Sequence, residues 1–157
     1  MNILEAHNLK KYYGRGDTAV KALDGVDLSV ADGEFVAIVG TSGSGKSTLL
    51  HLLGGLDRPT EGKVIISGKD IFSLDDDSLT IFRRRKIGFI FQSYNLIPTL
   101  NVYENIVLPI GLDGGTADKK HIENVIGVLG LSGREERLPN QLSGGQQQRV
   151  AIARESW

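Results

Sequence analysis

Short apolar stretches separated by polar turn residues run along the first part of the chain and predict β-strands. Candidate strands lie at residues 2–8 and 26–30, and residues 35–39 form a continuous apolar run, Phe-Val-Ala-Ile-Val. Glycine and aspartate cluster at 14–17 and 31–33, where we expect turns. The N-terminal part of the chain is therefore predicted to be rich in strands.

Farther along the chain, the pattern predicts helices together with two more strands. The predicted elements are a helix at 46–53, a strand at 63–67, a helix at 75–85, a strand at 86–91, a short helix near 102–106 and a helix at 117–129. In the last helix, apolar residues recur at the i, i+3, i+4, i+7 spacing of an amphipathic helix, which Gly130 is expected to end. The run at 86–91 suits a strand in a sheet covered on both faces.

Composition limits the class of protein. The chain has 157 residues, 40% of them hydrophobic and 24% charged, as expected for one globular domain. A net charge of −1 gives no general attraction for nucleic acid, so we expect no nucleic-acid partner. The absence of cysteine excludes disulfides and thiolate metal sites. The N-terminus lacks signal-peptide features and no apolar run approaches 18 residues, so a soluble, cytoplasmic protein is expected.

The stretch 40–48, Gly-Thr-Ser-Gly-Ser-Gly-Lys-Ser-Thr, has the spacing of a phosphate-binding P-loop between a strand and a helix. Glycines let the backbone curl so that its N–H groups face an anion, and the helix N-terminus adds positive potential. Lys46 can reach the outer phosphates, and the Ser47 hydroxyl is a suitable oxygen ligand for Mg²⁺. The expected nucleotide-binding residues are Gly40, Thr41, Ser42, Gly43, Ser44, Gly45, Lys46, Ser47 and Thr48. The alternative is a glycine-rich turn before an ordinary helix.

A second glycine-rich helix start occurs at 142–146, Leu-Ser-Gly-Gly-Gln. Ser143 is a candidate N-cap, and Gly144 and Gly145 expose backbone amides, which together predict a second anion site. One chain does not obviously need two phosphate sites, so this loop is predicted to serve a nucleotide held by a second protein molecule. The alternative is an ordinary capped helix after a glycine turn.

Together, the two motifs resemble those of the ATP-binding subunits of ABC transporters, and the resemblance runs from about residue 3 to residue 154. Residues 53–62, 91–98 and 146–149 are similar to the subfamily that serves lipoprotein release, macrolide export and antimicrobial-peptide export. The resemblance implies an α/β P-loop NTPase fold of the ABC-ATPase type. Such a fold has a parallel core sheet with helices, an N-terminal antiparallel β subdomain and a helical subdomain. The implied divisions are about 1–92 for the β subdomain and P-loop core, about 93–142 for the helical subdomain, and 143–154 for the signature helix.

The resemblance also assigns roles to residues. Tyr13 falls where these ATPases stack an aromatic ring on adenine, although Tyr12 or a plain surface tyrosine is an alternative. Gln92 matches a glutamine that ligates Mg²⁺ or orients water, so Lys46 and Gln92 are the expected catalytic residues and Ser47 and Gln92 the expected metal ligands. The resemblance places Ser143, Gly144, Gly145 and Gln146 on the ATP of a partner subunit.

The implied partners are a second ATPase subunit, in a homodimer or heterodimer, and a membrane permease. Residues 93–109 match the surface that these subunits press against the permease. Alternatively, some of the apolar residues there could be buried in the core of the helical subdomain. The protein is thus expected on the inner face of the cell membrane, held there peripherally by the permease.

The sequence ends before the strand that carries an Asp-Glu pair in this family, so the chain is expected to be incomplete at its C-terminus and to bind ATP without efficient hydrolysis. Two other functions remain open: a non-transport ABC-type ATPase, as in DNA repair, and a nucleotide-binding fragment without catalysis. A GTPase or small-molecule kinase is disfavoured, because the guanine motif Asn-Lys-x-Asp is absent and because those proteins do not carry Leu-Ser-Gly-Gly-Gln.

Overall fold

The computed structural model describes residues 1–14 and 18–156. Residues 15–17 of the predicted turn at 14–17 lie outside the described residues, as does Trp157. The chain divides into two compact units, Met1–Ile87 and Gly88–Trp157. Each unit has a hydrophobic core of its own.

The first unit is built on a four-stranded antiparallel sheet with the strand order β2-β1-β3-β4. Its elements are β1 (Asn2–Tyr13), β2 (Val20–Ala31), α1 (Lys46–Leu53), β3 (Glu61–Ile66), β4 (Lys69–Asp70) and α2 (Asp76–Lys86). Strand β1 is longer than the predicted strand at 2–8. Asn8, at φ 45°, interrupts its register with β2, but pairing resumes at Leu9 and continues to Tyr13.

Helix α1 packs on this sheet through one face. Its buried residues Leu49, Leu52 and Leu53 have the i, i+3, i+4 spacing that puts side chains on a single face. They share the first core with Leu9 of β1 and Val64 of β3, both of which have no exposed surface. The core therefore fixes α1 relative to β1 and β3, and this positions the loop at 40–45.

The second unit is helical. Its helices are α3 (Val102–Leu112), α4 (Lys119–Val128) and α5 (Gly144–Arg154). Helix α4 matches the predicted helix at 117–129, with Asp118 as its N-cap. Helix α3 starts at the predicted residue, with an Asn101–Glu104 capping box, but it is longer than the predicted 102–106 and continues through Pro109 to Leu112. None of the described helices is both long and apolar enough to cross a membrane.

Two local predictions are wrong. Residues 35–39 and 86–91 are not strands: Lys86 is the last residue of α2, and Phe35 and Val39 are 95% and 87% exposed. A strand needs a neighbour to accept and donate its backbone hydrogen bonds, and neither segment pairs with a strand among the described residues. In the described part of the chain, the sheet is antiparallel throughout, which is consistent with the predicted N-terminal antiparallel β subdomain.

Candidate functional site

The glycine-rich loop at 40–45 leads into α1, whose N-terminus has no side-chain cap. Gly45 is the N-cap in a left-handed conformation at φ 85°, and Gly43 also has a positive φ of 78°. Glycine adopts this conformation without the steric cost that other residues pay. Within the described chain, no hydrogen bond satisfies the amides of Lys46, Ser47 and Thr48. These amides, at the positive end of a helix, form an anion-binding arrangement.

The loop rests directly on the sheet at Gly45. A Cβ atom at this position would lie 2.3 Å from the carbonyl oxygen of Ala22 and 3.1 Å from the Leu23 side chain, both in β2. At Gly40, a Cβ would lie 2.7 Å from Ser44 Oγ. The missing side chains therefore leave the space in which the backbone curls, as expected for a phosphate cradle.

The Lys46 side chain folds back over the loop. Its ammonium nitrogen donates hydrogen bonds to the carbonyl oxygens of Gly40 at 2.9 Å and Thr41 at 2.6 Å, and to Ser44 Oγ at 3.3 Å. The cation is thus held among the oxygens of the loop into which it is expected to draw a phosphate.

The residues present fit Mg²⁺ bound together with a nucleotide. Ser47 is exposed at the start of α1, and its hydroxyl makes no hydrogen bond within the described chain. Among the described residues, no group of three or more His, Cys, Asp or Glu could hold a metal by itself. Mg²⁺ commonly takes one or two protein oxygens and completes its shell with phosphates and water, and the Ser47 hydroxyl is an oxygen of this kind.

Tyr13 lies at the end of β1 and is 44% exposed. Its hydroxyl donates to Asp57 Oδ2 at 3.0 Å, and Lys11 Nζ lies 5.0 Å from its ring centroid. Partial burial raises the pKa of Asp57, but hydrogen bonds from Lys11 and Tyr13 outweigh it and hold that pKa below its ordinary value. An ionised carboxylate therefore fixes the Tyr13 ring in place. The alternative, Tyr12, is anchored by a hydrogen bond to Asp24.

The second glycine-rich motif begins α5 with its own cap. Ser143 Oγ accepts from the Gln146 amide at 3.3 Å, and Gln146 Oε1 accepts from the Ser143 amide at 2.9 Å, which is a capping box. Gly144 and Gly145 are exposed, with open space where a Cβ would stand. Their amides have no partner within the described chain. The predicted N-cap role of Ser143 is confirmed by this geometry.

Gln92 lies in the second unit and is exposed. The turn that follows is unusual, because Tyr94 and Asn95 have positive φ angles of 60° and 46°. Asparagine adopts a left-handed backbone fairly readily, but a tyrosine does so only when the surrounding structure holds it. The Gln92 amide makes no hydrogen bond among the described residues, so it is available to a ligand.

Sequence reasoning missed several residues that hold these loops. Asp57 fixes Tyr13, and Gln147 Nε2 donates to the carbonyls of Pro139 at 2.9 Å and Leu142 at 3.3 Å, which braces the loop before α5. Asn105 is the buried polar residue of the described chain and binds the backbone of 97–101. Arg154 binds the turn after Gln92. The bonds of Tyr13 and Arg154 join residues 44 to 60 positions apart, so no local pattern could have indicated them. Those of Gln147 and Asn105 span only four to eight positions.

Comparison with known proteins identifies the family. Residues 23–157 match the family model described as ABC transporter. A macrolide export ATP-binding/permease protein, MacB, from Hyphomonas neptunium is 52% identical over 97% of this chain and 24% of its own length. The lipoprotein-releasing system ATP-binding protein LolD from Geobacter metallireducens is 46% identical over 98% of this chain and 69% of its own length.

A solved structure agrees with the sequence matches. The dimeric, post-hydrolysis ATP-binding cassette MJ0796, bound to ADP and Pi, superposes with a TM-score of 0.88 at 45% identity, covering 98% of this chain and 68% of that chain. The chain thus has an α/β fold of the ABC-ATPase type, as predicted. It belongs to the ABC transporter ATP-binding family, near the macrolide-export and lipoprotein-release branches. The chain spans about a quarter of the length of the macrolide-export relative.

Proposed function

We propose that the chain is the ATP-binding, energy-coupling part of an ABC transporter and binds Mg-ATP through Gly40–Thr48. The observation that carries this proposal is the uncapped start of α1, where free amides face the same loop as the Lys46 ammonium. In this proposal the amides and Lys46 hold the phosphates, and Ser47 and Gln92 hold Mg²⁺. Tyr13 stacks on the base with little selectivity, because any flat base can stack on a ring.

Substitution of Lys46 tests nucleotide binding. Lys46→Ala should weaken Mg-ATP binding by about 1.5–3 kcal/mol, the scale of a lost charged hydrogen bond. That is roughly a ten- to 150-fold rise in Kd, measured by titration with labelled ATP. Lys63→Ala, which removes an exposed lysine from β3, is the matched control and should leave Kd unchanged. Equal Kd values for wild type and Lys46→Ala would refute the proposal, and a strong GTP preference would refute the role of Tyr13.

The second motif is proposed to act on another molecule. Ser143, Gly144, Gly145 and Gln146 would contact the terminal phosphate of ATP held by a second cassette, and two cassettes would close head to tail. The dimeric state of the related MJ0796 cassette supports this arrangement. Mixed with an intact family member, the chain should form a heterodimer in ATP and not in ADP, because only ATP offers the terminal phosphate. Identical masses by light scattering in both nucleotides would contradict the proposal.

Closure of the dimer is proposed to drive a membrane permease that contacts residues 93–109. Support comes from the relatives, one of which is named as a combined ATP-binding/permease protein. The chain would then lie at the cytoplasmic face of the membrane through this partner. The cargo and the direction of transport are outside the proposal.

These 157 residues alone are proposed to bind ATP without turning it over at a useful rate. Phosphoryl transfer depends on oriented metal and water, and loss of a general base costs about 10²–10⁴ in rate. Glu155 is a poor substitute, because its carboxylate already pairs with Arg154 at 3.2 Å and accepts from the Phe89 amide at 3.2 Å. Steady phosphate release that depends on Lys46, near one per second, would overturn this part of the proposal.

A further inference from the structure

Arg154 connects the last turn of α5 to the turn that follows Gln92. Its Nη1 donates to the Asn95 carbonyl at 2.8 Å and its Nη2 donates to the Tyr94 carbonyl at 3.3 Å. Its Nε donates to Glu155 Oε1 at 3.2 Å, and the side chain is only 11% exposed. All three guanidinium nitrogens are therefore occupied, and the planar fork is fixed from both sides.

The two carbonyls that Arg154 binds belong to the residues with left-handed backbones, Tyr94 at φ 60° and Asn95 at φ 46°. A tyrosine keeps such a conformation only if its surroundings impose it. Within the turn, the Tyr94 amide donates to Phe91 O at 3.0 Å and the Asn95 amide to Ser93 O at 2.7 Å. Arg154 thus supplies the contact from outside the turn that maintains its shape.

Asn105 holds the next part of the same segment. Its Oδ1 accepts from the Ile97 amide at 2.8 Å, and its Nδ2 donates to the carbonyls of Ile97, Leu100 and Asn101 at 2.9–3.1 Å. We call residues 93–101 the docking loop, because they begin the surface proposed to meet the permease. The docking loop is therefore tied to α5 through Arg154 and to α3 through Asn105.

The N-terminal end of α5, opposite Arg154, carries the second glycine-rich motif, Ser143–Gln146. The 11 residues of the helix, Gly144–Arg154, span about 16 Å at 1.5 Å per residue. Val150, Ala151 and Ala153 are buried, so the C-terminal half of the helix is packed in the core of the unit, while Gly144 and Gly145 at its start are exposed. We infer that Arg154 is a positioning residue that makes the docking loop move together with α5, so that contact with ATP at Gly144 is relayed to the permease surface. The contact between Gly144 and ATP in this inference rests on the proposed function, whereas the Arg154 contacts do not.

Hydrogen exchange on the isolated chain tests whether Arg154 holds the turn at Tyr94 and Asn95. In Arg154→Gln, the amides of Tyr94 and Asn95 should exchange at least about tenfold faster than in wild type, because the turn loses its outside support. The Ile97 amide, held by Asn105, and the amides of α3 and α5 should keep their wild-type rates. Arg154→Lys should restore part of the protection, since one ammonium can bind one carbonyl. Unchanged rates at Tyr94 and Asn95, or a uniform rise throughout the unit, would overturn the inference.

A fluorescent label tests the relay. The chain has no cysteine, so exposed Thr99 can be replaced by a single cysteine and labelled with an environment-sensitive dye. On addition of Mg-ATP and an intact ATP-binding subunit, light scattering should show the heterodimer, and the dye on the wild-type chain should change its emission at the same time. Arg154→Gln should form the heterodimer and lose most of that change. Arg137→Gln removes an exposed arginine without side-chain hydrogen bonds in the described chain, and should respond as wild type.

The outcomes separate the two proposals. A heterodimer whose label responds equally in wild type and Arg154→Gln overturns the inference, as does a wild-type heterodimer whose label does not respond. If no variant forms a heterodimer in ATP, the action of Ser143–Gln146 on a second cassette fails. The relay to the permease surface then fails with it, whereas the exchange rates still decide whether Arg154 holds the loop.

Discussion

The two glycine-rich helix starts differ in how their backbone amides are satisfied. At α1 the N-cap is Gly45, which has no side chain, and the first-turn amides have no partner within the described chain. At α5, Ser143 and Gln146 form a reciprocal capping box, and only the amides of Gly144 and Gly145 remain available. The α1 site also has the Lys46 ammonium. A chain with a complete anion site and a partial one suits a nucleotide bound mainly by one molecule and completed by another.

The largest expected effect comes from a side chain added at Gly45. In Gly45→Ala, the new Cβ would lie 2.3 Å from the Ala22 carbonyl at a φ of 85°, so the loop or β2 must shift. We expect a loss of about 3 kcal/mol in the free energy of unfolding, together with loss of ATP binding. Chemical denaturation and ATP titration measure the two effects.

Gly43→Ala is the matched control for this substitution. Gly43 has a similar φ of 78°, but nothing lies within 4 Å of its added Cβ. Only the conformational cost of about 1 kcal/mol should remain. Equal effects at Gly43 and Gly45 would show that close packing on β2 does not shape the site.

An intermediate effect is expected at the capped helix. Ser143→Ala removes the N-cap and should lower the free energy of unfolding by about 1 kcal/mol. Ser143→Asp retains a cap but places a negative charge beside the amides of Gly144 and Gly145. It should keep the wild-type stability and lose the ATP-dependent heterodimer, as followed by denaturation and light scattering. If Ser143→Asp forms the heterodimer as well as wild type, the partial site at α5 does not bind phosphate.

The smallest expected effect is on the stability of the fold at low pH, through Asp57. The folded pKa of Asp57 lies below its ordinary value of 3.8, so its contribution to stability is present above that value. The stabilisation by Asp57 is lost as pH falls through its lower folded pKa, because the protonated carboxyl group carries no charge to pair with Lys11. Asp57→Asn should lower stability at pH 7 by about 0.2–1 kcal/mol, as for a partly exposed ion pair. Urea unfolding should show this difference shrinking below pH 3.8, and a constant difference would contradict the assignment.

Local sequence predicted the helices that begin the two sites. Helix α1 has the predicted bounds of 46–53, since its leucine spacing and the glycines before it are local signals. The N-cap role of Ser143 likewise follows from its neighbours alone, and the structure has it. These are features in which residues within one or two turns of each other determine the structure.

Predictions that depended on distant partners were wrong or missing. The apolar run at 35–39 has strand composition, but a strand forms only with a neighbour to pair with, and composition does not supply one. The bond from Tyr13 to Asp57 crosses 44 positions, and that from Arg154 to Asn95 crosses 59. Such contacts are set by the folded chain as a whole, so a single sequence cannot locate them.

The contacts that Asn105 makes with the docking loop have a consequence for how partner choice could be redesigned. Asn105 binds only main-chain atoms at Ile97, Leu100 and Asn101, and Arg154 likewise binds only carbonyls. The shape of the loop is therefore specified from outside, and exposed side chains such as Ile97, Pro98 and Thr99 can be exchanged without respecifying its backbone. Under the proposed function, one scaffold could in this way be matched to different permeases by substitution at a few adjacent surface positions.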